Sequence, residues 1–321
     1  MSKIDEIRND YRNSLKSMDT EESIDLIFYR PIGYLWARLA RRFGISPNAI
    51  TIASIFLGVG AGILMYFPDF WVNVLGVLLL VWANTFDSAD GQLARMTKQY
   101  SKFGRILDGM SGDLWFIAIY IALCLRINNS SEFFGEHQWV IWIVAIVAGV
   151  CHAKQAAVAD YYRQFHLYFV KGEAGSELTT TNQIDEEFAA LQWKGNFWKK
   201  IFMFFYRHYT ANQEVLTPQM QQLRRSIKSH FGEMVPIDFR EKVRARSKPL
   251  MKYTNILTFN TRCIALFISV LLGCPIAYFI FELTVLNLLL VYMILVKSLS
   301  VEISNIELSA SSSFVVFTFT K

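Results

Sequence analysis

The sequence predicts an all-α integral membrane protein: six transmembrane helices, an N-terminal amphipathic interfacial helix and a cytosolic helical insert. Three observations predict it. Apolar residues make up 53% of the 321-residue chain and mean hydropathy is +0.28, too greasy for a water-soluble domain of this size. Several stretches approach the roughly 20 apolar residues that cross about 30 Å of hydrocarbon as a helix. Lys and Arg crowd the connections on one side of those stretches and are scarce on the other.

Ala49 to Phe67, Phe70 to Phe86 and Cys263 to Phe281 carry no charge and are the most clearly marked spans. Gly104 to Leu125, Gln138 to Asp160 and Leu283 to Val296 complete the six, each with ionisable residues near one end. Among basic residues, the loops after the first, third and fifth spans hold only Arg126, whereas Lys and Arg gather at 30–42, 95–105 and 161–252. Both termini are therefore expected in the cytosol. The opening segment is charged throughout, from Lys3 to Lys16, and lacks the pattern of a cleavable signal peptide, so the first span is expected to direct insertion. With no targeting signal visible, a bacterial cytoplasmic membrane is the expected location.

Before the first span, Ile32, Leu35, Trp36, Leu39 and Phe43 recur at helical spacing, while Arg38, Arg41 and Arg42 fill the remaining surface. Pro31 suits a first helical turn and Gly44 a C-terminal cap. A basic amphipathic helix directly before a span is expected to lie in the interfacial plane. The chain then divides into a cytosolic N-terminus (1–46), spans one to four (47–160), a cytosolic insert (161–255), spans five and six (256–306) and a tail (307–321). Within the insert, Gly172 to Glu187 reads as loop, Phe188 to Tyr209 is rich in aromatic residues, and Thr217 to Phe231 has a helical pattern. From Tyr161 to Lys252 there are fifteen Lys and Arg against nine Asp and Glu. That surplus of six suits anionic lipid head groups better than nucleic acid. Cys124, Cys151, Cys263 and Cys274 have no CxxC spacing and read as small buried apolar residues.

Four carboxylates stand where apolar spans meet the basic side: Asp87 and Asp90 after span two, Asp108 and Asp113 at the start of span three. Ionisable groups at membrane depth are costly, which makes them functional candidates rather than a solvated turn. Asp87 and Asp90 are three apart, on one face of a helix, and the segment Gly91 to Phe103 reads as a loop returning the chain to Gly104. Clustered carboxylates without His or Cys select hard cations, Mg2+ or Mn2+, with phosphate as the expected counter-ligand. Two ions would offset the repulsion among the acids and clamp a diphosphate. Gly91 and Gly104 would allow a nucleotide close to the helix backbone.

The string Asp87-Ser-Ala-Asp90-Gly91-Gln-Leu-Ala94-Arg95, followed by eight residues, Gly104, three residues and Asp108, resembles the signature of the CDP-alcohol phosphotransferase (CDP-alcohol phosphatidyltransferase) family. That signature is D-x-x-D-G-x-x-A-R-x8-G-x3-D-x3-D. The resemblance implies metal-dependent transfer of a phosphoalcohol group from a CDP-activated lipid to a polar alcohol, with release of CMP. It implies metal ligation by Asp87, Asp90 and Asp108, and a CDP site of Asp87, Gly91, Ala94, Arg95 and Gly104. Arg95 suits a positive-inside anchor as well as a phosphate contact. A homodimer, opening to both cytosol and lateral lipid, is also implied.

The family's fourth Asp falls on Gly112 here, and the carboxylate is Asp113. On a regular helix Asp113 would stand about 140° from Asp108, against about 40° for the family position. A one-residue π-bulge within Gly109-Met-Ser-Gly112 would restore its direction, and with it the roles of general base and metal ligand. For the acceptor, His152, Lys154, Arg163 and Arg262 lie in the cytosolic halves of spans four and five. Such a basic pocket would suit inositol phosphate or glycerol phosphate, although the same cations suit snorkelling anchors. Serine and inositol remain alternative acceptors, and an inactive lipid- or nucleotide-binding relative is the rival from another class.

Overall fold

The computed structural model describes residues 3–15, 17, 19–172, 176, 178–232 and 235–296, and the tail 307–321 lies outside them. Among the described residues the chain is helical and contains no strand. Six helices are long and apolar enough to cross a membrane: Pro47–Met65, Phe70–Thr97, Ile106–Ser130, Gln138–Val170, Ile237–Leu271 and Ile276–Val296. The chain is thus an integral membrane protein by composition and length.

The N-terminal helix α1 (Lys3–Ser14) is followed by a π-helical turn, Asp25–Tyr29, that runs directly into α2 (Arg30–Arg42). Helices α3 (Pro47–Met65), α4 (Phe70–Thr97), α5 (Lys102–Ser130), the short α6 (Glu132–Glu136) and α7 (Gln138–Lys171) follow. Then come α8 (Thr181–Ala190), α9 (Phe197–Leu216), α10 (Pro218–Phe231), α11 (Ile237–Ser247), α12 (Met251–Ile256), α13 (Phe259–Leu271) and α14 (Ile276–Phe281). A second π turn, Glu282–Leu286, continues α14 toward residue 296.

Three boundaries differ from the sequence expectation, one of them the expected loop Gly172 to Glu187, which is helix from Thr181 on because Thr180 and Gln183 cap it reciprocally. The uncharged run Cys263 to Phe281 is not one span. Helix α13 stops at Leu271, where Gly273 takes φ +70°, Cys274 N–H donates to Ser269 C=O and Gly273 N–H to Val270 C=O. This is a left-handed glycine stop, and Pro275 after it cannot continue the ladder. The third difference is that Gly91 to Thr97 is helix rather than loop. Helix α4 runs through the motif and ends only where Lys98 adopts a left-handed conformation, and Ser101 Oγ then caps α5 by accepting from Gly104 N–H at 2.8 Å.

The described residues form two compact units. The first holds the chain up to Val150 together with Asn260–Leu283. Ala37 and Ala40 of α2, Ile50 of α3, and Ala89 and Leu93 of α4 make a tight core flanked by Trp36, Phe86 and Met96. The expected apolar stripe of α2 is not its buried side: Leu35, Leu39 and Phe43 are exposed, whereas Gly33, Tyr34, Ala37 and Ala40 are buried. Small residues there bring α2 against α4 where the motif lies. Arg126 is buried and donates to Met65 C=O and Asn73 Oδ1, both at 3.1 Å, satisfying a carbonyl at the end of α3.

The second unit comprises Cys151–Phe259 and the described residues from Thr284 on. Asp160 accepts from Tyr209 Oη at 2.9 Å and from Gln213 Nε2 at 3.2 Å, joining α7 to α9. Thr180 and Gln183 form a reciprocal cap on α8. Lys200 donates to Leu191 C=O at 2.8 Å and sits over the rings of Phe188 and Trp193.

Candidate metal and nucleotide site

The motif is a property of two helix faces. Asp87, Asp90, Gly91, Ala94 and Arg95 stand at spacings of three, four, seven and eight along α4, so they share one side of it. Gly104 and Asp108, four apart on α5, share a side in the same way. Asp87, Asp90 and Asp108 each offer one carboxylate oxygen, and these oxygens lie within 4.8 Å of one another. Two carboxylates at that separation repel by about 3 kcal/mol even at an effective dielectric constant near 20. Among the described residues, neither Asp87 nor Asp90 forms an ion pair with a basic side chain.

The carboxylates are nevertheless held in place. Asp90 is only 3% exposed and accepts from Thr51 Oγ1 of α3 at 2.5 Å. Asp87 accepts from Ser111 Oγ of α5 at 2.8 Å, and the same hydroxyl lies 2.7 Å from Asp108 C=O. These hydroxyls fix the outer faces of two acids without neutralising them. An all-oxygen donor set of three acids held close together, two of them oriented by hydroxyls, fits a hard divalent cation.

Around this centre, Gly104 sits where an added Cβ would meet Asn48 Oδ1 at 2.5 Å, so only glycine lets α5 start against α3. Gly91 faces nothing closer than the Arg95 guanidinium, at 3.5 Å from an added Cβ, which leaves approach from outside open. Arg95 Nε donates to Ser14 C=O, and its Nη2 is buried with no hydrogen-bond partner among the described residues. Ser14 Oγ also accepts from Gln92 Nε2 at 3.1 Å, so the end of α1 anchors the motif helix. Arg30 links the N-terminal segment to the same place, donating to Glu21 Oε2 at 2.9 Å and to Ser88 Oγ at 3.1 Å.

The expected π-bulge before Asp113 is absent. Helix α5 is α-helical from Lys102 to Ser130, and Asp113 is exposed and outside the convergent set. Five regular residues carry it about 140° from Asp108, which is why it does not join the other three. The roles of general base and metal ligand expected for Asp113 therefore lack the geometry they need.

The four cations expected around an acceptor are dispersed in their bonding. Arg262 is 1% exposed and forms a buried pair with Glu282, itself 0% exposed, so it is committed within the helix bundle. In the second unit, Arg163 donates to Asn255 Oδ1 at 2.7 Å, His152 is half-buried, and Lys154 is exposed. Sequence reasoning missed Thr51, Ser111, Arg30 and Ser14. Only Ser111 had a readable signal, a hydroxyl three residues after Asp108 in the helical register of the motif.

A family model for CDP-alcohol phosphatidyltransferase matches residues 44–178, which contain α3, α4, α5 and α7 and every motif position. Among curated proteins, a CDP-diacylglycerol–glycerol-3-phosphate 3-phosphatidyltransferase of Cereibacter sphaeroides is 30% identical over 102 residues, covering 32% of this chain and 43% of the relative. A probable cardiolipin synthase (CMP-forming) of Drosophila melanogaster is 39% identical over 79 residues, 24% of each chain. A bifunctional IPC transferase and DIPP synthase of Aquifex aeolicus is 28% identical over 104 residues, 32% of this chain and 22% of that one. This chain thus spans less than half the length of these relatives. No solved structure gives a significant match.

Proposed function

We propose that the chain, whose residues 44–178 match the family model for CDP-alcohol phosphatidyltransferase, transfers a phosphatidyl-type group from a CDP-activated lipid to a polar alcohol, releasing CMP. The observation that carries this reading is the convergence of Asp87, Asp90 and Asp108 from two helices. These three residues would hold Mg2+ or Mn2+, as one ion or as a pair. Bound there, a cation would supply positive charge to offset the diphosphate and the negative charge that develops on departing CMP.

The chain's own residues supply the rest. Thr51 and Ser111 keep Asp90 and Asp87 from rotating away, so the donor set is formed before substrate arrives. Arg95 Nη2 is a buried donor free to meet a phosphate oxygen of the diphosphate, and its anchorage through Nε to Ser14 C=O holds it in that direction. Gly91 and Ala94 give the nucleotide a small-residue surface on α4. Inositol phosphate is the preferred acceptor, with glycerol phosphate, serine and inositol as its competitors. Positive-inside asymmetry supports a site open to the cytosol of a bacterial cytoplasmic membrane, and the homodimer rests on the family resemblance alone.

A second reading, binding of the CDP-lipid without turnover, is favoured by Gly112 and the outward Asp113. One experiment separates the two. Purified full-length protein is given CDP-diacylglycerol and each of the four alcohols, and CMP release is followed with and without EDTA. Metal-dependent release with one alcohol is the expected result. Binding of CDP-lipid without release from any alcohol would establish the second reading.

A further inference from the structure

Transfer requires more than cations. The attacking hydroxyl must lose its proton as the new P–O bond forms, and the group that takes it has to be within hydrogen-bond reach and basic. Asp87, Asp90 and Asp108 are poor candidates once they bind a cation, because an adjacent positive charge favours the ionised carboxylate. Helix α5 offers no further acid on the side of Asp108, since Gly112 occupies that position and Asp113 is turned away.

The N-terminal segment offers one. In the π turn Asp25–Tyr29, Arg30 N–H donates to Asp25 C=O, so residue 30 stacks over residue 25 and the two side chains leave the chain on neighbouring directions. Arg30 reaches Ser88, which lies between Asp87 and Asp90 in the motif. Asp25 and Arg30 both lie near enough to Asp87 for their charges to act on it. One oxygen of Asp25, Oδ1, accepts from Asn260 Nδ2 at 2.9 Å, and the same amide serves Glu22 Oε2 at 2.9 Å. The other oxygen, Oδ2, has no hydrogen-bond partner among the described residues and is not sealed from solvent. A carboxylate oriented through one oxygen and open at the other has the form of a general base.

We infer that Asp25 is the proton acceptor for the attacking hydroxyl, supplied by the N-terminal segment in place of a fourth carboxylate on α5. The inference rests on the transferase reading above. In the step, the alcohol oxygen forms a bond to the β-phosphorus and its proton passes to Asp25 Oδ2. The bond from that phosphorus to the bridging oxygen breaks, and its electron pair leaves on CMP. Asp25 then returns the proton to water, so each transfer releases one proton. Burial holds the Asp25 carboxyl above the ordinary carboxylate range, against the opposing hydrogen bond from Asn260, which makes it a stronger base than a surface acid.

The test compares the full-length wild type, Asp25→Asn, Asp113→Asn and the double variant Asp25→Asn/Gly112→Asp. Each is assayed for metal-dependent CDP-diacylglycerol binding and for CMP release with the alcohol the wild type uses. Asp25→Asn should lower kcat by about 10²–10⁴-fold, the usual range for a lost general base, with CDP-lipid binding retained. Asp113→Asn should release CMP at the wild-type rate. An added Cβ at Gly112 meets nothing within 4 Å, so Asp fits there one turn beyond Asp108, and the double variant should regain at least about tenfold of the lost kcat. Retained binding in Asp25→Asn shows that the variant has folded. Near-normal kcat in that variant, or loss confined to Asp113→Asn, would overturn the inference while leaving the transferase reading intact. Wild-type protein silent with every alcohol would overturn both.

Discussion

Two sets of charges in the first unit have opposite fates. Arg262 and Glu282, on α13 and the π turn after α14, neutralise each other out of reach of water, and Tyr278 Oη donates a further hydrogen bond of 3.1 Å to Glu282. Asp87, Asp90 and Asp108 bring three charges of one sign together, and the protein answers with hydroxyls from Thr51 and Ser111, which orient carboxylates without balancing them. At membrane depth a buried pair of opposite charges joins helices, whereas acids of one sign held in fixed geometry reserve their field for a ligand.

The largest effects are expected when one charge is removed from each set. Asp108→Asn keeps the shape of the triad and deletes a ligand, so CMP release should fall on the order of 10²–10³-fold or more while the thermal midpoint in detergent stays level or rises as repulsion is relieved. Unchanged release at saturating magnesium would show that the triad is not the metal site. Glu282→Gln has the reverse signature. It removes the negative charge of the buried Arg262–Glu282 pair, and the expected loss is about 3–5 kcal/mol of stability, seen as a large drop in thermal midpoint. A Glu282→Gln protein as stable as the wild type would mean that Arg262 has another compensating partner, and the contrast between the two sets would weaken.

Hydropathy made the six spans legible because any helix in hydrocarbon must hide its own backbone and present apolar side chains. It was blind to interruption. The run from Cys263 to Phe281 carries no charge, so only Gly273 and Pro275 marked the stop within it. Charge misled in the opposite direction at the end of α4, where Asp87, Asp90 and Arg95 lower the hydropathy although the helix continues to Thr97. Those polar residues all project from one side, and helices α2, α3 and α5 face the helix there. For the site, the motif spacing located Asp87, Asp90 and Asp108. Their supports were illegible because Thr51 is 39 residues from Asp90 and Ser111 is 24 from Asp87, and no local rule links such positions. Arg262 failed as an acceptor candidate for the same reason, its partner Glu282 lying 20 residues on.

A smaller effect is expected where α2 meets the motif. Gly33 faces Ser88 and Gln92, and an added Cβ would stand 2.7 Å from Gln92 Oε1 and 3.1 Å from Ser88 Oγ. Gln92 is fully buried and tied to Ser14, so it cannot swing out freely. Gly33→Ala should therefore strain the approach of α2 to α4 by about 1–3 kcal/mol, as overpacking of a filled core does. Because Ser88 neighbours Asp87, CDP-lipid affinity should fall along with the thermal midpoint. Loss of stability with affinity unchanged would separate the α2 contact from the site.

The least effect belongs to a charge pair that water already compensates. Arg207 and Asp185 join α9 to α8 through two hydrogen bonds, of 2.5 and 3.1 Å, and the geometry alone resembles that of a strong interaction. Their side chains are 40% and 44% exposed, however, so each ion is well hydrated when the pair is open and screened by salt when it is closed. Arg207→Ala should leave both the thermal midpoint and CMP release unchanged within error, at low salt and at high. Set beside Glu282→Gln, this variant isolates the variable that matters, since both remove one partner of an Arg–carboxylate contact and differ in access to water. A marked destabilisation by Arg207→Ala would show that the contact is shielded in the membrane-bound protein, and burial would then have to be reassessed for the α8–α9 pair before any charge on the second unit is read as solvated.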